Sequence, residues 1–220
     1  LFTYHNIVDP PAVDDVMVGK EDDRQVREYA PDLPVVIFTY HNIVYRRGID
    51  RFFAEAAAAG ADGVLIVDLP AEESGEVAPS ALRHGVDRIV LIAPTTSPER
   101  QRAILQGASG FVYLISLEGV TGERDRLSPG IAGLVGAVRE KTDLPLAVGF
   151  GVSRPEHARA VAAAGADGVI VGSALVRIIE EHPGDEAGIC EALHAAIRAM
   201  RDALAPDPGP DMLRRERVEG

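Results

Sequence analysis

The sequence predicts an α/β fold of the (β/α)8 TIM-barrel type, incomplete, with about six clear strands. Three observations carry that prediction. From Pro34 onward, apolar runs of four to six residues alternate with helical patterns. The runs are rich in branched residues and lack a clean in-out alternation, as expected of strands buried on both faces of a parallel sheet. The segment AAAAGADGVLIVD at 56–68 is then echoed by VAAAGADGVIVG at 161–172, each reading as helix, glycine stop and strand. Their glycines, Gly60 and Gly165, are 105 residues apart, or about four βα units of roughly 26 residues. Finally, two successive strands end in glycine, at Gly149–Gly151 and at Gly172. A doubly wound open sheet is the alternative, but it sets its glycine-rich phosphate loop after the first strand, and none is there.

Taken in order, the chain begins with LFTYHNIV at 1–8, which recurs as IFTYHNIV at 37–44. One short, near-identical copy is better explained by duplication or a damaged reading frame than by a stacking repeat. Residues 1–33 form an atypical N-terminal segment, with a weak helical pattern through Val13, Val16 and Val26 to Tyr29. The barrel portion covers 34–204. Its strands are expected at Val35–Tyr40, Gly63–Asp68, Ile89–Ala93, Phe111–Ser116, Leu144–Val148 and Gly168–Val171, and its helices at Ile49–Ala59, Glu72–His84, Pro98–Gln106, Gly130–Lys141 and Pro155–Ala164. Six strands cannot close an eight-stranded barrel, so the first and last of them should be open edges unless residues 1–8 fill part of the gap. Ile189, Leu193, Ile197, Met200 and Leu204 make an apolar stripe on a final helix, read as core packing. The proline-rich tail 205–220 is expected to be frayed.

Composition limits the function. The 220 residues include 34 acidic and 22 basic ones, for a net charge of −12. Such a surface repels nucleic acid and anionic membranes, so an anionic ligand must be held locally. The single cysteine, Cys190, reads as a small apolar residue buried in a helix and excludes an internal disulfide. With no long apolar run and no leader-like opening, the expected location is cytoplasmic. The six histidines show no metal-ligand spacing and no serine lies in a nucleophile elbow.

The stretch 144–176 is where function is expected. Ser153 and Glu156 fit a capping box, with Pro155 in the first turn of the following helix. Gly151, Gly172 and Ser173 lie where the last two strands of a barrel and a short helix start form a phosphate cradle. The loop from Leu117 to Leu127 bears Thr121 and is a candidate lid beside that cradle. Tyr40, Leu65, Ile92, Tyr113, Phe150 and Ile170 fall near strand ends and could line an apolar pocket for a flat aromatic group carrying a phosphate tail. Asp68 is a carboxylate at a strand's carboxyl end, open to a catalytic role or to helix capping.

The motifs FTYHNIVYRRGIDRFF at 38–53, GVLIVDLPAEES at 63–74, YLISLEGVTG at 113–122, GFGVS at 149–153 and GSALVRIIEEH at 172–182 resemble those of the tryptophan synthase α subunit family. The resemblance implies a lyase that cleaves indole-3-glycerol phosphate to indole and glyceraldehyde 3-phosphate. It also implies a partner β subunit in an α2β2-type complex, with pyridoxal phosphate carried only by that partner. By motif, Gly122, Gly151, Gly172 and Ser173 would bind phosphate, Tyr40, Leu65, Tyr113, Phe150 and Ile170 would surround indole, and Thr121 would act from the closing loop. Members of that family hold their catalytic glutamate and aspartate on an earlier strand and loop, in a pattern like ELGIPFSDP. Nothing in this sequence matches that pattern. The chain is therefore expected to bind substrate analogues weakly and to cleave almost nothing. A sugar-phosphate isomerase barrel and a non-catalytic, phosphate- or partner-binding barrel remain the alternatives.

Overall fold

The structure, a computed structural model, describes residues 2–4, 30–115, 130–149 and 151–204. Among these are seven strands, β1 (Phe2–Tyr4), β2 (Val35–Thr39), β3 (Gly63–Ile66), β4 (Asp87–Ile92), β5 (Val112–Ile115), β6 (Leu146–Gly149) and β7 (Gly168–Val169). They form one sheet in sequential order, every neighbouring pair parallel. The helices are α1 (His41–Arg47), α2 (Ile49–Ala59), α3 (Ser74–His84), α4 (Pro98–Leu105), α5 (Ile131–Arg139), α6 (Pro155–Ala163), α7 (Ser173–Glu181) and α8 (Glu186–Ala203).

All six expected strands form, and the duplicated segment adds a seventh. β1 pairs with β2 in the register Phe2↔Val35, Thr3↔Val36 and Tyr4↔Ile37, so the copy covers one of the two edges that the sequence leaves open. Among the described residues, β7 ends the sheet on the other side.

The strands divide their side chains between two layers. Val36, Leu65, Ile89, Tyr113, Ala147 and Ile170, with Phe38, Val67, Leu91, Phe111 and Ile115, form the cluster on the inner, concave face. The opposite face packs against the helices through Val64, Ile66, Phe52, Phe53 and Val77 in one cluster and through Val90, Ile92, Val112, Leu114, Leu146, Val148, Val135 and Val161 in another. Burial of both faces explains why the strands read as continuous apolar runs.

The internal echo has a physical counterpart. Gly60 and Gly165 both end a helical segment in the left-handed region, at φ 89° and 85°. The amides of Ala61 and Ala166 then return to the Ala56 and Val161 carbonyls. Asp62 donates its own amide to the Val35 carbonyl (2.9 Å) and accepts the Val35 amide on Oδ2 (2.7 Å). Asp167 does the same with Leu146, at 2.9 and 2.8 Å. In both units an AGADG segment closes the start of the preceding strand, which fixes the register of the parallel pair.

Other expectations need correction. The helix near residue 155 is capped by Arg154 and not by Ser153, so the Ser153–Glu156 box does not form. His157 instead accepts the Ser153 amide on Nδ1 (3.2 Å), one residue further along. Cys190 is exposed on α8 and not buried. The stripe on that helix is only partly core, since Ile197 and Leu204 are 36% and 40% exposed. The helix α1 has no counterpart in the sequence reading. The weak helical pattern at 13–29 and the tail 205–220 lie outside the described residues.

Candidate functional site

In a parallel sheet of this kind the carboxyl ends of the strands make the ligand-facing rim. Here that rim is built by the ends of β2, β3, β5, β6 and β7. Leu65 and Ile170 are buried on the inner face at 3% and 6% exposure, and Tyr113 lies among them at 8%. Alternation along β2 puts Tyr40 in the same row as Val36 and Phe38, one step nearer the rim, where it is 51% exposed. Four of the proposed pocket residues therefore share one face. Ile92 does not: β4 begins at Asp87, and its parity turns Ile92 outward into the helix-facing core. Phe38, Val67, Leu91 and Ile115 line the inner face instead, and extending the alternation from Leu65 and Tyr113 would have found Val67 and Ile115. Phe150, Thr121 and Gly122 lie outside the described residues.

Burial pushes the Tyr113 phenol up to about 12, so the ring is neutral at any physiological pH. Its ring occupies the space beside Gly149: a Cβ on that glycine would lie 2.6 Å from both Cε2 and Oη of Tyr113. Just beyond, Gly151 has φ 81°, a left-handed turn that a side chain would strain. The Ile170 amide donates to the Val148 carbonyl (2.8 Å), which carries the β6–β7 alignment up to the rim. Gly172 is the N-cap of α7, and a Cβ there would meet nothing within 4 Å among the described residues. Its carbonyl accepts from Leu175 (2.8 Å) and Val176 (3.2 Å). The amides of Ser173 and Ala174 at the start of the helix are thus outside the helical ladder, where an anion is favoured by the helix dipole.

Across the rim, Asp68 does not point a free carboxylate at this space. Its Oδ1 accepts the His41 amide at 2.6 Å and so holds the first turn of α1. The His41 ring meets Glu73 through Nδ1, 3.2 Å from Oε2. Sequence reasoning missed His41, because its role depends on two carboxylates from another loop. Among the described residues no group of His, Cys, Asp and Glu is arranged to hold a metal ion.

Comparison with known proteins agrees with this fold. The family model described as tryptophan synthase alpha chain matches residues 21–205. The tryptophan synthase alpha chain of Methanoregula boonei is 49% identical over 180 residues, which cover 82% of this chain and 68% of that one. The alpha chain of Halorhodospira halophila is 52% identical over 182 residues, covering 82% and 66%. Among solved structures, one of the tryptophan synthase a2b2 complex from Pyrococcus furiosus superposes with a TM-score of 0.74 at 39% identity, covering 82% of this chain and 71% of that one. The chain spans about two thirds of the length of the curated relatives it matches. With a family model matched over most of its length and relatives near half identity, the chain belongs to the tryptophan synthase alpha chain family.

Proposed function

We propose that this chain binds indole-3-glycerol phosphate, with the phosphate at the ends of β6 and β7 and the indole on the inner face of the sheet. The reading rests on one observation. Among the described residues nothing stands within 4 Å of a Cβ placed on Gly172, the residue before the first amides of α7, and this end of the sheet is the one toward which the row of Leu65, Tyr113 and Ile170 and, by alternation, Tyr40 extends. Backbone amides of Gly151, Gly172 and Ser173 would hold the phosphate dianion, with the α7 dipole adding to the attraction. Thr121 and Gly122 would act from the loop after β5. The neutral Tyr113 and its aliphatic neighbours form an apolar wall suited to an indole ring.

The reaction this site serves is cleavage of the bond between indole and glycerol phosphate, yielding indole and glyceraldehyde 3-phosphate. The indole would pass to a β subunit carrying pyridoxal phosphate. A cytoplasmic location suits the phosphorylated substrate, and no helix among the described residues is long and apolar enough to cross a membrane. The cleavage needs a proton delivered to the indole carbon and another removed from the glycerol hydroxyl. Asp68, the carboxylate nearest in sequence to such a role, is engaged with the α1 amide. That engagement favours a narrower reading in which the chain binds the substrate and cleaves it poorly.

Calorimetric titration with indolepropanol phosphate, together with indole release from indole-3-glycerol phosphate with and without added β subunit, tests both levels. Binding that weakens in Gly172→Val, with indole release near background, is the expected result. Absence of binding would refute the site, and turnover like that of a full-length α subunit would refute the narrower reading. A further loss of turnover in Asp68→Asn would then name the group responsible.

A further inference from the structure

Tyr40 stands at the most exposed point of the inner row, yet the backbone around it is tied on both sides. The carbonyl of Thr39 accepts the Val67 amide (3.0 Å). The amide of His41 is held by Asp68 Oδ1 (2.6 Å). Tyr40 itself is the N-cap of α1, at φ −112° and ψ 150°, with no side-chain cap bond of its own. A seven-residue helix with no side-chain cap is weak in isolation. Its entry angle, and with it the direction of the Tyr40 side chain, must be set from outside.

His41 supplies that restraint. Its side chain is 19% exposed, and Nδ1 lies 3.2 Å from Glu73 Oε2 in the short turn before α3. A carboxylate only accepts, so this contact is attractive when Nδ1 carries a proton. The other ring nitrogen, Nε2, is buried with no hydrogen-bond partner among the described residues. Burying that nitrogen is unfavourable in itself, and the ring is held there by the Glu73 contact and by packing on Tyr45, with centroids 5.9 Å apart. We propose that His41, clamped by Asp68 through its amide and by Glu73 through its ring, is a positioning residue that fixes Tyr40 over the indole-binding face. The ligand half of this proposal rests on the function proposed above, while the restraint on Tyr40 does not.

The protein contains no tryptophan, so Tyr40→Trp places a single fluorophore at the rim. Time-resolved anisotropy of that variant should show little local wobble. Adding His41→Phe or Glu73→Ala should enlarge it, and adding His41→Asn, whose Nδ2–H reproduces the donor to Glu73, should restore it. Equal wobble in all four proteins would overturn the clamp whatever the ligand is. In the Tyr40 protein, His41→Phe should weaken indolepropanol phosphate by about two- to fivefold, as expected when one partly exposed polar contact is lost. Glycerol 3-phosphate, which lacks the ring, should bind unchanged, and His41→Asn should recover the loss. Equal losses for both ligands would make His41 merely structural and overturn its positioning role. Failure of the parent to bind indolepropanol phosphate would overturn the functional reading, and the anisotropy series would still decide the clamp.

Discussion

Replacing Gly149 by alanine adds one methyl group at the most crowded point of the inner face. Its carbon would lie 2.6 Å from Tyr113 Cε2 and Oη and 2.8 Å from Cζ, against the 3.5–4.0 Å or so at which carbon atoms pack comfortably. The ring cannot swing away freely, because Tyr113 is only 8% exposed and sits among Leu65, Ile89 and Ala147. Overpacking of this kind costs about 1–3 kcal/mol, which for a chain of this size lowers Tm by roughly 2–12 °C. Tyr113→Leu alone also destabilises, through lost burial, but it removes the atoms that the new methyl group meets. Gly149→Ala with Tyr113→Leu should therefore be less destabilised than the sum of the single variants, by about 1 kcal/mol or more. Urea unfolding of the four proteins measures that coupling. Additivity within about 0.5 kcal/mol would show that Gly149 is not kept small by the Tyr113 ring.

Arg88 is buried at 4% exposure, and it donates to the carbonyls of Ile104, Gln106 and Gly107 at the end of α4. Arg88→Met should lower urea stability by about 2–4 kcal/mol, because three carbonyls lose a charged donor, and Arg88→Lys should recover only part of that. Asp167 is held below the usual carboxylate range, first by the Leu146 amide and then by Arg139. A depressed carboxylate stabilises the fold above its unfolded pKa, near 3.8, and the gain is lost as pH falls through the lower folded value. Asp167→Asn should accordingly be less stable than the parent at pH 7, by about 1 kcal/mol or less given the exposure of the pair. The difference should shrink as pH drops below that range, and a gap that stays constant in acid unfolding would contradict the assignment.

How much of this was legible in the sequence depended on whether the signal was local. The helix Ile49–Ala59 has the bounds read from the sequence, because glycines flank it on both sides and Gly60 takes the left-handed stop. Pro98 after Ser97 gave the start of α4 for the same reason, and the Ser97 side chain accepts the Arg100 amide. The strands were recognisable as buried parallel strands, but their ends were not. For β4 this mattered: starting it at Asp87 reverses no side chain, yet it makes clear that Ile89 and Leu91 face inward and Ile92 outward. Helix α1 was illegible because it has no cap of its own, and its first amide is satisfied by Asp68, 27 residues away. Cys190 is exposed because α8 packs chiefly on α6 and α7, which leaves part of its circumference to solvent.

The rim also shows why residue type alone could not separate structure from function there. Gly149, Gly151 and Gly172 looked alike in the sequence, as punctuation after two strands, and each is glycine for a different reason. Gly149 yields its side-chain volume to the Tyr113 ring, Gly151 makes a turn at positive φ, and Gly172 has no described residue within 4 Å of where a Cβ would stand. Of Gly149 and Gly172, only the second leaves room among the described residues for a molecule that is not part of the protein. The carboxylates divide in the same way. Asp68 and Glu73 lie at the face where acid–base chemistry would be sought, and both are engaged with His41. The proposed anion seat and apolar wall lie at a rim whose carboxylates Asp68 and Glu73 are both in contact with His41. On the function proposed here such an arrangement would serve binding, and the two proton transfers of the cleavage would fall to groups other than these.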